Sequence, residues 1–353
     1  MPFVLFTGGG SAGHVTPNVA LIEEARARDW TVSYVGSPAG IERDIIEPLG
    51  VDYHAVSSGK LRRYFSWQNF IDPLLIVWGI LQSLVLLVSR RPDAVFSKGG
   101  FVSVPVAVAA WLLRIPVISH ESDVTPGLAN RLIYPFCRAI CVTFEETGRY
   151  LSGRKVVVTG TPVRQSLLAG DRHRGLEYLG FSESRPVLLV FGGSLGAGAI
   201  NRAVWDAAHR LTEHFQVIHV VGAGNVNPDL DLPGYIQKPF VSQEFGDVMA
   251  AADIAVCRAG ANTLYELFLL RKPHLLIPLT LAASRGDQLV NARTFADRGY
   301  SKVLFEENLS ATTLLAGVTE LFENRAGHVQ AMSGFPVLDS VDLILARIEQ
   351  SIA

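Results

Sequence analysis

The sequence predicts an α/β protein with two doubly wound, mainly parallel sheets, each built like a Rossmann domain. Short β-branched runs alternate with longer helical patterns such as 14–28 and 103–113, which is typical of repeated βαβ units. The strands predicted in the first half are 3–7, 31–36, 52–56, 93–97, 116–120 and 139–143. The pattern restarts after a connection at 159–186 that is rich in Gly, Pro and charge. The strands predicted beyond it are 186–193, 216–222, 253–257 and 274–278.

The chain has 353 residues, of which 49% are hydrophobic and 18% are charged, and these values favour two domains with large cores. We expect an N-terminal domain over 1–160 and a C-terminal domain over 161–336, which face each other across a cleft. The segment 337–353 has the pattern of a closing helix that could pack back on the N-terminal domain.

Charge and cysteine content narrow the class of protein. The net charge of −2 supplies no global positive field, so no nucleic-acid partner is expected. Cys137, Cys141 and Cys257 have neither a disulfide nor a zinc spacing, and we expect them in the core of a cytoplasmic protein. The first residues show a strand pattern without a basic region, so no signal peptide is predicted. Asp229 and Asp231 lack a third ligand, so no metal site is predicted there.

The segment 73–88 is almost entirely apolar. At 16 residues it is shorter than the roughly 20 that a spanning helix needs, so we expect a crossover helix that lies on the sheet. Its outer face could still touch a membrane, because aromatic and basic residues flank it. These flanking residues are Lys60, Arg62, Arg63, Tyr64, Phe65, Trp67, Phe70, Trp78, Arg90 and Arg91.

Three glycine-rich turns, at 8–14, 98–103 and 192–198, each follow a predicted strand and open a predicted helix. Glycines permit positive φ and let backbone N–H groups approach an anion, and the helix end adds positive charge, so a diphosphate is the expected ligand. A turn rich in glycine is common in α/β proteins, but three such turns favour binding. The spacing matches neither a dinucleotide-binding GxGxxG with an acidic partner nor a P-loop. Transfer of a nucleotide sugar fits better than a dehydrogenase.

The stretch 258–266 (RAGANTLYE) follows a predicted strand and opens a helix. Glu266 then lies about two turns into that helix, where its carboxylate could accept both hydroxyls of a ribose. The alternative is a solvated helix glutamate. Arg164, beside the connection between the halves, could clamp a phosphate.

The stretch 284–291 (SRGDQLVN) follows another predicted strand and its loop. Asp287 and Gln288 are suited to hydrogen-bond sugar hydroxyls, and Asn291 could pin the turn. The alternative is an ordinary helix N-cap supplied by Ser284 or Asp287.

In the first half, His14 begins the helix after the first glycine turn. A neutral imidazole there could accept a proton from an incoming hydroxyl, and the helix end would keep its pKa low. The alternative is a structural histidine. A second polar group follows the strand 116–120, at the carboxyl end where open α/β sheets bind ligands. This group consists of His120, Glu121, Asp123 and Asn130.

The chain resembles the MurG family of peptidoglycan N-acetylglucosaminyltransferases, in the form typical of Gram-positive bacilli and cocci. The matching motifs cover almost the whole chain. They are GGGSAGHV (8–15), GIERDII (40–46), SSGKLRRY (57–64), FSKGGFVSVPV (96–106), HESDVTPGLANR (120–131), TFEET (143–147), GGSLGAGAIN (192–201), RAGANTLYE (258–266) and SRGDQ (284–288). The resemblance implies a GT-B fold and inverting transfer of GlcNAc from UDP-GlcNAc to lipid I, which gives lipid II.

The resemblance also implies site residues. His14 is the candidate base or hydroxyl positioner, with Glu121 and Asn130 near the acceptor. The donor residues that it implies are Ser11, Ala12, Gly13, Arg164, Ser194, Val241, Ala261, Asn262, Thr263, Leu264, Glu266 and Gln288. It requires no metal and no cofactor. It implies that the N-terminal half docks on the inner leaflet, so the protein is expected at the cytoplasmic face of the membrane.

The chain departs from many relatives at a few motif positions. It has Ser11 and Ala12 where many carry Thr-Gly, Asp123 and Asp287 where other branches carry amides, and Phe101 where some carry Tyr. Two alternatives remain open. One is a related GT-B transferase that acts on diacylglycerol, and the other is a non-catalytic nucleotide-sugar-binding scaffold at the membrane.

Overall fold

The computed structural model describes residues 1–59, 68–151, 155–193 and 196–352. The chain divides into two compact units. The first unit comprises Met1–Val163 together with Leu338–Ala353, and the second comprises Arg164–Val337.

Within the described residues, the first unit forms a seven-stranded parallel sheet. Its strands are β1 (Phe3–Thr7), β2 (Thr31–Gly36), β3 (Asp52–Ala55), β4 (Ala94–Ser97), β5 (Val117–Glu121), β6 (Ala139–Val142) and β7 (Val156–Val158). The spatial order is β3-β2-β1-β4-β5-β6-β7, so the winding direction reverses between β1 and β4. This arrangement is the doubly wound sheet that the sequence predicts.

Helices cover both faces of this sheet. They are α1 (Ala12–Ala27), α2 (Ile41–Ile46), α3 (Gln68–Arg90), α4 (Ser103–Leu112), α5 (Leu128–Ile133) and α14 (Ser340–Ile352). Successive strand residues point to opposite faces, so Leu5 packs in the core under α4 whereas Phe6 packs in the core under α1. Helix α14 returns from the end of the chain and buries Ile344 and Ile348 in the core with Phe6.

The apolar segment predicted over 73–88 belongs to the longer helix α3. One face of α3 packs on α4, where Gly79 lies against Pro105 and Leu87 is buried. The other face is an exposed apolar stripe that consists of Leu74, Val77, Trp78, Leu81, Val85 and Val88. By length and composition alone, Asp72–Arg90 could cross a membrane, but its packing on α4 makes it a helix of the first unit, as predicted. The flanking residues 60–67 lie outside the described residues.

Within the described residues, the second unit forms a six-stranded parallel sheet. Its strands are β8 (Val187–Phe191), β9 (Gln216–Val220), β10 (Tyr235–Lys238), β11 (Ile254–Cys257), β12 (His274–Leu276) and β13 (Lys302–Val303). The spatial order is β10-β9-β8-β11-β12-β13, so the winding direction reverses between β8 and β11. The second unit therefore repeats the winding of the first.

The helices of the second unit complete its layers. They are α6 (Gln165–Leu168), α7 (Arg172–Leu179), α8 (Gly198–His214), α9 (Phe245–Ala251), α10 (Ala261–Leu269), α11 (Asp287–Ala296), α12 (Ala311–Glu323) and α13 (Arg325–Met332). Its main core joins Leu188 and Val256 of the sheet to Val204 of α8 and Val318 of α12. All three cysteines of the chain are buried, as predicted.

Candidate functional site

The predicted glycine turns lie where the winding of each sheet reverses. In the first unit, the turn at 8–14 follows β1 and the turn at 98–103 follows β4, and these strands are neighbours. In the second unit, the turn at 192–198 follows β8, and residues 258–260 follow its neighbour β11. Open α/β sheets bind ligands at the carboxyl ends of strands at such a reversal. We call these two places the first edge and the second edge.

The first glycine turn is held by side chains of its own unit. The Tyr34 hydroxyl donates a hydrogen bond to the Gly8 carbonyl over 2.7 Å, and the Gly10 amide donates to the Glu42 carboxylate over 3.2 Å. The Gly9 amide donates to the Gly99 carbonyl over 3.3 Å. The prediction that this turn offers its amides to phosphate is therefore wrong for Gly9 and Gly10.

Glu42 is a buried carboxylate at this turn. Although burial opposes its ionisation, hydrogen bonds from the Ser37 hydroxyl and amide and from the Gly10 amide hold the pKa of Glu42 below its usual value. An ionised carboxylate at Gly10 repels a phosphate. The turn therefore shapes the first edge rather than cradling an anion at that amide.

Helix α1 begins directly after the first turn. Its N-cap residue Ser11 makes no side-chain cap bond, and Ala12 and Gly13 form the first helical positions. His14 follows them as a partly buried residue in the first turn of α1. The structure thus places the predicted His14 at the carboxyl end of β1, on the first edge.

The second glycine turn packs directly on the first. A Cβ at Gly100 would lie 2.2 Å from the Gly9 carbonyl oxygen, and the φ of Gly100 is +86°, so the position requires glycine. A Cβ at Gly99 would lie 3.2 Å from Oδ1 of Asn130. The Ser103 hydroxyl closes the turn by donating to the Gly99 carbonyl over 2.9 Å. The two turns and Asn130 therefore form one contiguous surface.

The predicted catalytic residues Glu121 and Asn130 are buried and bonded to each other. Asn130 Nδ2 donates to Glu121 Oε2 over 2.8 Å, and the amides of Gly127 and Asp123 donate to the same carboxylate over 2.8 and 3.1 Å. Asn130 Oδ1 accepts from the Ser119 hydroxyl over 3.2 Å. These contacts favour a positioning role for both residues over direct contact with the reacting atoms.

Sequence reasoning missed the contact between Lys98 and His120. The side chain of Lys98 is 1% exposed, and its Nζ donates to His120 Nδ1 over 2.9 Å and to the Ser122 hydroxyl. His120 Nε2 lies 2.7 Å from the Gly160 carbonyl oxygen, which can only accept, so Nε2 carries the ring proton. The signal in the sequence is a lysine directly after an apolar strand, at the carboxyl end where ligands bind.

Burial dominates the protonation of this pair. It lowers the pKa of Lys98 to about 8, against the opposing charges of Glu121 and Asp123. Burial and the Lys98 charge together hold the pKa of His120 well below its usual value, so the imidazole is neutral. Below pH 8 the pair therefore consists of an ammonium donor and a neutral imidazole acceptor.

At the second edge, α10 starts without a capping side chain. Its N-cap is Gly260, and the predicted donor residues Ala261, Asn262, Thr263 and Leu264 form its first turn. An N-terminus of this kind offers backbone N–H groups and a positive helix end to an anion. The sequence predicts the diphosphate at the glycine-rich turns, and the start of α10 is a further place in the second unit where an anion could bind.

Glu266 and Arg164 are brought into electrostatic contact within the second unit. Burial raises the pKa of Glu266 to about 7, and the Arg164 guanidinium opposes this shift. The two predicted donor residues are 102 positions apart in the chain. The structure therefore groups an arginine and a titrating carboxylate beside the start of α10.

Asn291 and Gln288 tie the second edge together from α11. The Asn291 amide, fully buried, donates to the Ala259 carbonyl over 3.1 Å. Gln288 Oε1 accepts from the Leu279 amide over 3.1 Å. Asn291 therefore pins the turn after β11, and not the turn within 284–291 that the sequence predicts.

Two predicted donor residues of the second unit remain, Val241 and Ser194. Val241 is buried in the loop that follows β10. Ser194 lies outside the described residues. In the same turn, Gly196 has a φ of +75°, and a Cβ there would lie 2.1 Å from the Val221 carbonyl oxygen, so this position requires glycine.

A cavity of the second unit lies away from the second edge, and the described residues contain no metal-binding cluster. Among the described residues, no group of three or more His, Cys, Asp or Glu side chains could hold a metal ion. An open cavity of about 440 Å³ lies by Asp253 and Pro273, at the amino ends of β11 and β12. It is therefore at the opposite end of the strands from the second edge, and we assign the candidate site from side-chain chemistry and topology.

Comparison with known proteins agrees with this arrangement. Residues 4–142 match the glycosyltransferase family 28 N-terminal domain, and residues 187–344 match the family 28 C-terminal domain. With two doubly wound parallel sheets, the chain is a glycosyltransferase of the GT-B class.

Two relatives narrow the class. A Legionella pneumophila (strain Paris) protein is 50% identical over 99% of this chain and 97% of its own length. A Lachnoclostridium phytofermentans protein is 48% identical over 99% of both chains. Each is named UDP-N-acetylglucosamine–N-acetylmuramyl-(pentapeptide) pyrophosphoryl-undecaprenol N-acetylglucosamine transferase. The chain belongs to glycosyltransferase family 28 and, within it, to the MurG family. Its resemblance to the Gram-positive form in particular is not confirmed by these relatives.

Solved structures agree on the fold. MurG from Acinetobacter baumannii aligns with a TM-score of 0.79 at 22% identity, over 99% of this chain and 100% of that one. UDP-GlcNAc 2-epimerase from Neisseria meningitidis aligns with a TM-score of 0.68 at 14% identity, over 99% and 100%. Because an epimerase shares the fold, the fold alone does not select the reaction.

Proposed function

We propose that this protein transfers GlcNAc from UDP-GlcNAc to the C4 hydroxyl of MurNAc in undecaprenyl-diphospho-MurNAc-pentapeptide (lipid I), which gives lipid II for peptidoglycan. The main observation behind the proposal is sequence identity. Over 99% of its length, this chain is 50% and 48% identical to two transferases that are named for this reaction. The ligand edges of both units support it, because the family motifs lie at the winding reversals.

The donor binds at the second edge. The uncapped start of α10 holds the diphosphate, and the guanidinium of Arg164 adds a cation for it. The ionised carboxylate of Glu266 accepts the ribose hydroxyls. Gln288 holds the loop after β12 against the sugar. The resemblance adds contacts from Ser11, Ala12 and Gly13, at the start of α1, and from Ser194 and Val241.

The acceptor binds at the first edge. His14, at the start of α1, accepts the proton of the C4 hydroxyl as this oxygen attacks the anomeric carbon and UDP leaves from the opposite face. The helix end and amides at the donor diphosphate stabilise the leaving charge. Glu121 and Asn130 hold the wall of the acceptor site through the bonds that they form with each other.

The exposed stripe of α3 is the membrane-docking surface. Leu74 is 69% exposed and Val85 is 73% exposed, which is unusual for large apolar residues in such number. Exposed Trp111 of α4 lies on the helix that packs against α3. Arg90 and Arg91 at the end of α3 add positive charge for an anionic leaflet. We therefore place the protein at the cytoplasmic face of the membrane, as a peripheral enzyme.

The test is transfer of radiolabel from UDP-GlcNAc to purified lipid I, with diacylglycerol as the competing acceptor. We expect labelled lipid II and no labelled glycolipid. Label on diacylglycerol alone would instead identify a glycolipid transferase. Binding of UDP-GlcNAc without turnover on either acceptor would identify a scaffold.

A further inference from the structure

Lys98 is a fully buried lysine that the reaction above does not use. It follows β4 directly and precedes the second glycine turn, and it is among the largest side chains with almost no exposure. An ammonium removed from water destabilises the fold unless partners compensate it. A methionine of similar length would fill the same space without that penalty. The charge at Lys98 therefore has a reason other than packing.

Several polar and charged side chains face the ammonium of Lys98. Its hydrogen-bond partners are His120 Nδ1 and the Ser122 hydroxyl. The carboxylates of Glu121 and Asp123 attract its charge. The Cys141 thiol also faces it from β6, but burial raises the pKa of this thiol to about 12, so it stays protonated. Arg347 of α14 also acts electrostatically on Cys141.

These contacts join three strand ends of the first sheet. Lys98 follows β4, residues 120–123 end and follow β5, and His120 continues the connection to Gly160, beyond β7. From the same segment, Glu121 reaches Asn130 at the start of α5. One buried ammonium therefore lies at the centre of the hydrogen bonds that shape the first edge.

The same ammonium offsets negative charge at this edge. Glu42 and Glu121 are buried carboxylates there, and Asp123 adds a third. A ligand with a diphosphate would be repelled by three carboxylates without a cation among them. Lys98 compensates part of this charge without touching the ligand, since its side chain is covered.

We propose that Lys98 is a positioning residue for the lipid-diphosphate acceptor, which fixes residues 120–123 and lowers the negative charge of the surface that binds the diphosphate. This inference rests on the proposed function, because it assumes that the first edge binds the acceptor. It predicts that loss of the charge weakens acceptor binding and leaves donor binding unchanged.

The experiment compares wild type, Lys98→Met, Lys98→Arg and the control Lys302→Met, a partly exposed lysine of the second unit that pairs with Glu320. Steady-state rates with lipid I and UDP-GlcNAc give separate KM values. For Lys98→Met we expect an acceptor KM at least tenfold higher and a donor KM within twofold of wild type. The melting temperature reports separately on the loss of the hydrogen bond to His120 Nδ1. Lys98→Arg should recover part of the acceptor affinity, and Lys302→Met should match wild type.

The pH profile separates positioning by charge from packing. Because the pKa of Lys98 is about 8, acceptor kcat/KM of the wild type should fall as the pH rises through 8. The Lys98→Met profile should lack this fall. An acceptor kcat/KM within twofold of wild type in Lys98→Met, or an equal rise of both KM values with a lower melting temperature, overturns the proposal.

Co-sedimentation with vesicles that contain undecaprenyl diphosphate distinguishes the two proposals. If wild type makes no lipid II but binds these vesicles more tightly than Lys98→Met does, the proposed function fails and the role of Lys98 stands. If wild type makes lipid II but both proteins bind the vesicles equally and have equal acceptor KM, the role of Lys98 fails alone. Equal binding together with no lipid II rejects both.

Discussion

The side-chain amide of Asn291, in α11, donates a hydrogen bond of 3.1 Å to the backbone carbonyl of Ala259. Ala259 lies in the turn after β11, whereas α11 follows β12. The bond is fully buried, and Ala259 immediately precedes the N-cap of α10. The start of α10 is therefore oriented by a side chain that itself makes no contact with ligand in the proposed function.

Replacing Asn291 by Ala leaves the Ala259 carbonyl unsatisfied in the core. We expect the free energy of unfolding to fall by about 1–3 kcal/mol, measured by urea denaturation, and the donor KM to rise. Asn324→Ala is the matched control, because Asn324 donates to the Glu320 carbonyl on the surface. If both variants lose the same stability, Asn291 has no special role.

Glu266 predicts a pH dependence of donor binding. Its pKa is raised to about 7 by burial, and only the ionised form accepts two ribose hydroxyls, so donor kcat/KM should rise as the pH increases through 7. Glu266→Gln should abolish this rise, and Glu266→Ala should raise the donor KM roughly 10- to 100-fold. Kinetics between pH 6 and pH 8.5 test it, with the exposed Glu320→Gln as control. If donor kcat/KM of Glu266→Gln still rises near pH 7, the titrating group is a residue other than Glu266.

The raised pKa of Glu266 also makes the stability of the fold depend on pH. Stability should fall as the pH rises, whereas donor kcat/KM should rise. Because the folded-state pKa of Glu266 lies above the unfolded value, its contribution to stability is complete below the unfolded pKa and is lost as the pH rises through about 7. Melting temperatures of wild type should therefore fall relative to those of Glu266→Gln between pH 5 and pH 8. Parallel curves would contradict the burial of this carboxylate.

His14→Ala should lower kcat by about 10²- to 10⁴-fold and change both KM values little, since His14 acts on the proton of the attacking hydroxyl. His209→Ala, which removes an exposed histidine of the second unit, should have wild-type kinetics. Measuring kcat of each variant with saturating lipid I tests this prediction. If His14→Ala and Glu266→Ala raise KM equally with kcat unchanged, the assigned roles are wrong.

Gly100→Ala tests the contact between the two glycine turns of the first unit. The new Cβ would lie 2.2 Å from the Gly9 carbonyl oxygen at a φ of +86°. We expect a loss of about 1–3 kcal/mol in the free energy of unfolding and a higher acceptor KM. Gly148→Ala is the control, because a Cβ at Gly148 meets nothing within 4 Å. Unchanged acceptor kinetics in Gly100→Ala would separate these turns from the acceptor.

Two charges on the exposed stripe test membrane docking. Leu74→Glu combined with Val85→Glu should strongly reduce co-sedimentation with anionic vesicles, because both side chains are exposed and apolar in the wild type. Activity on a detergent-solubilised acceptor should stay within twofold. Val226→Glu places the same charge on an exposed apolar residue of the second unit. Equal loss of vesicle binding in both proteins would show a general charge effect.

The sequence predicted most strands because they are buried on both faces and therefore form continuous apolar runs, as β1 and β8 do. It missed three strands: β7 (Val156–Val158) and β13, which are only three and two residues long, and β10, whose residues Tyr235–Lys238 include Gln and Lys. All three lie at the edges of their sheets, where a strand is covered less and can be short or partly polar.

The sequence predicted only those parts of the site that depend on the order of strands, turns and helices along the chain. The turns and α10 follow their strands in sequence, so their place on the edges could be inferred. The contact of Lys98 with His120 and that of Gly10 with Glu42 depend on which strands and helices are neighbours. Spacing alone could not show that Glu121 is enclosed by Asn130 and by backbone amides.

Glu42 makes the two halves of this protein chemically unequal, although their sheets are wound alike. It places a carboxylate at the turn after β1, whereas the start of α10 in the second unit has no acidic residue in its first turn. The Gly10 amide is therefore already occupied, and an anion bound at the first edge has to be held by groups outside that turn. Two sheets of the same winding thus offer different chemistry at the turn after their central strand.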